Sequence, residues 1–138
     1  MATSIRADIS KKNRWHIEKH RYYELKHFCL QYSQWVRERA EISFVRSSRP
    51  DRIYIPSSGL NRGPEDSAEQ LAWYDERIGM LERAAKETDP VIGIYILKGV
   101  VQDKSYDVLR ANEMIPCCRD IYYELYRKFF YILSGLRQ

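Results

Sequence analysis

The twenty residues MIPCCRDIYYELYRKFFYIL, positions 114–133, constrain the fold more than any other stretch of the chain. The residue before a proline is pushed out of helical geometry, so MIP ends whatever helix precedes it. From Cys117 to about Leu136 no proline interrupts, and apolar side chains recur every three or four positions. This spacing predicts a long amphipathic helix with Cys118, Tyr122, Leu125, Phe129, Ile132 and Leu136 on its buried face and Cys117 as a weak cap. A stripe of that size has to be covered by other helices. The chain is 138 residues long and 44% hydrophobic, enough to supply them within one small domain.

The rest of the chain reads the same way. Residues 14–39 form a long helix with Tyr22, Leu25, Cys29, Tyr32 and Val36 in one stripe, His16 on its first turn and Asn13 as cap. Residues 66–87 form another, capped by Asp66 or Ser67. It is apolar on two sides, along Leu71, Tyr74, Ile78, Leu81 and Ala85 and along Trp73, Met80 and Ala84, so it requires two neighbours. Between these helices, residues 46–64 hold three of the five prolines, two of the six glycines and repeated serines. They read as a linker with at most a short extended piece at RIYI. In TDPVIGIYILKGVVQ, Asp89 is placed to cap and Pro90 to start a helix, though two glycines and many β-branched residues leave a strand open. Ser105 caps a short helix over SYDVLRANE. The expected architecture is all-α with about five helices: a basic N-terminal helix (1–45), the linker (46–64) and a helical domain (65–138).

Charge narrows the function classes. Residues 1–50 carry 11 basic against 5 acidic side chains, residues 51–90 carry 5 against 9, and residues 91–138 carry 7 against 5. A basic start and an acidic middle permit nucleic-acid binding without requiring it. No apolar run reaches the roughly 20 residues of a membrane span. The first fifteen residues lack a signal-peptide core, so the chain is expected in the cytoplasm. Three cysteines, two of them adjacent, suit reduced thiols better than a disulfide framework. Bridging adjacent cysteines would close a strained eight-membered ring, and CxxC spacing is absent. No phosphate-binding loop, dinucleotide turn or nucleophile elbow occurs, so enzyme activity, a cofactor and a metal are not expected.

A capped short helix, a proline turn and a long helix over residues 105–136 have the order of a helix-turn-helix, whose last helix lies in the major groove of DNA. Opposite its buried face that helix carries Arg119, Asp120, Tyr123, Glu124 and Arg127, with Lys128 at the edge. Arginine can bond a guanine edge or neutralise phosphate, and tyrosine can bond phosphate or pack on a base. A second candidate face lies on the first helix: His16, Lys19, His20, Tyr23, Lys26 and His27, a basic surface for phosphate or an acidic partner. His16 and His20 stand four apart, as two metal ligands would, but no carboxylate there completes a shell.

The KGV helix end, SYDVL, the IPC turn and RDIYYELYRKFFYIL resemble the C-terminal region of phage transcriptional activators of the RinA/ArpU type, similar in layout to sigma factor region four. The opening KKNRWHIEKHRYYELKHFCLQY and the acidic ERAAKETDP are also similar to small phage proteins of this kind. The resemblance implies a sequence-specific regulator that binds double-stranded DNA and controls phage late or packaging genes in the bacterial cytoplasm; on this reading the basic first helix adds phosphate contacts or meets host RNA polymerase. Two other classes stay open. One is a small terminase-like packaging protein, a homo-oligomer using the two-sided helix 66–87. The other is a phage protein that binds a host protein through exposed aromatics such as Tyr23, Trp73, Tyr123, Phe130 and Tyr131.

Overall fold

The computed structural model describes residues 13–48 and 64–138. Among them there are six helices and no strand: α1 (Lys19–Leu30), α2 (Tyr32–Ser48), α3 (Pro64–Thr88), α4 (Gly93–Gln102), α5 (Tyr106–Asn112) and α6 (Arg119–Leu136). The expected all-α class holds, with five helices if α1 and α2 are counted as one. The RIYI segment lies outside the described residues.

The first helix starts later than its periodicity suggests and is broken once. Asn13 Oδ1 accepts the Trp15 amide at 2.8 Å, which closes a turn before the helix, and α1 begins only at Lys19. At Gln31 the amide turns to the Phe28 carbonyl three residues back, at 3.3 Å. That tighter step re-phases the apolar stripe. Phe28 and Trp35 are therefore buried with Tyr22, Leu25 and Cys29, whereas Val36, expected inside, is 41% exposed.

α3 packs on α2, α4 and α6. Its two apolar sides thus find their neighbours within the chain. Leu81, Ala84 and Ala85 are buried, and Trp73 lies 44% exposed under the Arg77 guanidinium, 3.8 Å from the ring centre. Asp89 does cap, but it caps a turn: its carboxylate accepts the Val91 and Ile92 amides at 2.9 and 2.7 Å, and α4 proper starts at Gly93. Pro90 accordingly precedes the helix instead of opening it. A methyl group on Gly93 would stand 1.9 Å from the Ala85 carbonyl oxygen, so this glycine sets how closely α4 lies on α3. At the other end Asp103 adopts the left-handed conformation (φ 55°), with its own amide on Val100 and the Lys104 amide on Gly99. Those two bonds satisfy the last carbonyls of α4.

α6 runs through the middle of the core. Tyr122, Tyr126, Phe129, Phe130 and Leu133 are buried. The stripe is rotated from the expected one: Cys118 is exposed and Leu125, Ile132 and Leu136 are half-buried. The rotation follows from aromatic packing: Phe130 packs edge-on against Tyr22 of α1 and tilted against Tyr126, whose hydroxyl meets that of Tyr22, so the larger rings take the inner positions. Phe130, expected as an exposed aromatic, is 1% exposed. The Tyr22 and Tyr126 hydroxyls meet at 3.0 Å. Arg21 donates to the Ser134 hydroxyl at 3.1 Å and to the carbonyls of Ser134 and Arg137, fastening the end of α6 to α1.

Candidate nucleic-acid interface

The junction of α5 and α6 is built by Tyr106. Ser105 Oγ accepts the Val108 amide at 3.3 Å and so caps α5 as expected. The next residue, Tyr106, is buried; its hydroxyl donates to the Cys117 carbonyl at 2.7 Å, and its amide donates to the Tyr123 hydroxyl at 3.0 Å. These bonds bring the start of α5 against the start of α6. The connecting residues 113–118 are longer than the three or four of a simple helix-turn-helix turn. Cys118, not Cys117, is the N-cap residue of α6, and its side chain makes no capping bond.

The six α6 candidates do not share one surface. Arg119 and Asp120 are exposed at the first turn. Arg119 pairs with Asp107 of α5 at 3.0 Å and lies 5.6 Å from the Tyr123 ring centre. Tyr123 itself is half-buried, its hydroxyl committed to the Tyr106 amide, so it is a structural residue and not an outward reader. Glu124 and Arg127 pair with each other at 3.7 Å. Lys128 lies 5.5 Å from the Trp15 ring centre, and Trp15 packs edge-on against Tyr131. Arg14 approaches the same Trp15 ring at 4.5 Å. The segment before α1 therefore covers part of the outer face of α6 and brings Arg14 towards Lys128.

The N-terminal candidates are only partly brought together. Lys19, His20, Tyr23 and His27 are exposed on α1. His16 precedes the helix, so the i, i+4 relation with His20 does not arise. Lys26 is half-buried and lies 3.6 Å from Asp103. Among the described residues no group of three or more His, Cys, Asp or Glu side chains is placed to hold a metal.

A cleft of about 320 Å³ opens at the α5–α6 junction, lined by Tyr106, Asp107, Arg110, Ile115, Cys117, Cys118 and Arg119. Arg110 was not among the expected site residues. Its signal was its place in the last turn of the Ser105-capped helix, one turn from Asp107. Burial, then the neighbouring Cys118 and Asp89, push the Cys117 thiol above its ordinary value. The cleft thus combines two guanidinium groups, one carboxylate, two thiols and a tyrosine–isoleucine floor.

No described helix is long and apolar enough to cross a membrane. Set against models of known protein families, curated proteins and solved structures, the chain matches none.

Proposed function

We propose that the protein binds double-stranded DNA through the exposed start of α6 and the adjacent α5. The observation that carries this reading is the contrast along α6. The helix is locked into the core from Tyr122 to Leu133, while Arg119, Asp120 and Ile121 stand uncovered at its N-terminal turn. A rigid helix that offers its first turn is what major-groove readers present, and its free amides and dipole favour a phosphate there. Arg119 is held by one exposed ion pair, of the sort worth roughly 0–1 kcal/mol, so it can exchange Asp107 for a DNA phosphate or base at little cost. Arg110, beside it, adds a second guanidinium. The finer role that the sequence resemblance favours is control of phage transcription, with DNA packaging as the alternative.

Anisotropy of labelled duplexes, selected from random and native-genome fragments, tests the reading at two salt concentrations. The Arg110→Ala/Arg119→Ala variant should lose binding while keeping its circular dichroism spectrum, and Arg127→Ala should bind nearly as before because Arg127 is half-buried and lies beyond the exposed first turn of α6. Equal binding by the double variant would remove this surface from the reading. A second reading, a protein-binding module, is favoured by Val36, Phe44, Val45 and Trp73, all exposed on α2 and α3. It would be preferred if no duplex binds even at low salt.

A further inference from the structure

We propose that the protein forms a two-fold dimer in which α2 packs antiparallel against α2 of a second copy, centred on Ala40. Within the chain, α2 meets α3 through Trp35, Glu38 and Arg39, which touch Trp73, Tyr74 and Asp75. Spaced three and four apart, these residues define one side of the helix. Val36, Ala40 and Phe44, each four positions from the next, line another. All three are exposed, Val36 at 41% and Phe44 at 71%. Arg37 and Glu41 run beside them and are exposed as well. A helix that is apolar on a second face needs a second neighbour. Among residues 32–47 and 67–80, moreover, Trp35 is the one buried side chain, so α2 and α3 close only a small core between themselves.

The order of the residues on this face selects a second copy as the neighbour. About a two-fold axis at Ala40, each position faces the one equally far beyond the axis. Ala40 meets itself, and its small side chain lets the helices approach to the 8–10 Å of close-packed pairs. Val36 and Phe44, four before and four after, come to the same height from opposite copies. The two-fold also leaves each flank of the helix facing the same flank of the other copy. Arg37 lies three positions before the axis and Glu41 one after. Glu41 of the second copy therefore stands about 3 Å from Arg37 along the axis, at 1.5 Å per residue. The symmetry makes that pair twice, while the two Arg37 positions stay about 9 Å apart along the axis. The apolar face supplies the attraction, and the charges set the antiparallel direction.

The test needs no DNA, so its failure is separate from failure of the DNA-binding reading. Sedimentation equilibrium of the full chain should give twice the chain mass. Ala40→Glu sets two carboxylates against each other at the axis and should weaken association about a hundredfold. Arg37→Glu and Glu41→Arg each turn attraction into repulsion and should weaken it about tenfold. All three positions are exposed, so the circular dichroism spectrum should not change. Mixing the Arg37→Glu chain with the Glu41→Arg chain brings opposite charges together again, but only between copies, and should restore the dimer. A monomeric parent, a dimer that survives Ala40→Glu, or a mixture that associates no more tightly than its components would each overturn the proposal.

Discussion

Around α6, Tyr22, Leu25, Leu81, Tyr122, Phe129 and Leu133 are sealed from solvent, and rings from α1, α5 and α6 touch in an unbroken series from Tyr106 to Phe130. The arm formed by α2 and the first half of α3 is different. Trp35 is the one buried side chain among residues 32–47 and 67–80, while Val36, Phe44, Val45 and Trp73 face outwards. Its helices are tied by polar contacts: Tyr74 donates to Glu38 at 2.7 Å and Arg39 pairs with Asp75, and Tyr32 reaches Glu82 just beyond the arm at 2.7 Å. Both regions are helical and aromatic. They differ in how much apolar surface leaves water, which decides how much of the fold each can support.

Alkaline pH should separate them most. Burial raises the pKa of Tyr22, Tyr122 and Tyr126 above the ordinary tyrosine value. A raised value means the stability these groups contribute is complete below the unfolded pKa near 10 and is lost as pH rises through the folded values. Tyrosinate absorbance and the near-ultraviolet circular dichroism should therefore change together above about pH 10. Ionisation of the core tyrosines in a still-folded chain would break the comparison. Next, Phe129→Ala should cost about 3–5 kcal/mol in urea unfolding, as expected for a fully buried ring. Trp35→Ala should act locally. Hydrogen exchange in the arm should speed up tenfold or more, equivalent to about 1.4 kcal/mol, while α4 and α6 keep their protection.

The smallest effect concerns the joint between the regions. Asp89→Ala removes the acceptor for the Ile92 and Val91 amides and should cost about 1 kcal/mol at neutral pH. Those two bonds, Ile92 first, hold the Asp89 carboxyl below its ordinary value. Its contribution is thus complete above the unfolded carboxylate pKa near 3.9 and disappears as pH falls through the folded one. The stability gap between parent and variant should close in acid.

What could be read from the sequence was what depends on local chemistry. The Ser105 cap, the break at MIP, the helix from about residue 66 and the long last helix all rest on backbone preferences that neighbouring residues set. The phase of the stripes was not local. Whether Cys118 or Phe130 faces inward depends on Tyr22, some hundred residues away, and Val36 was displaced by one tightened step at Gln31. The candidate site fared likewise. Arg119 and Asp120 are where the helical period puts them. Tyr123 turned inward because the Tyr106 amide needed an acceptor, and Arg127 met an acidic neighbour three positions back on its own helix.

The Tyr22–Tyr126 contact joins residues 104 positions apart, and the Arg21 clamp on Ser134 spans 113. During synthesis α1 emerges long before α6, and until then Tyr22 lacks the Tyr126 hydroxyl and the Phe130 ring that meet it in the finished fold. The α2–α3 hairpin needs only residues close to one another along the chain. The arm that holds least tightly in the finished fold can therefore form before the core is complete, and Arg21 and Tyr22 gain their last partners only once α6 has been made.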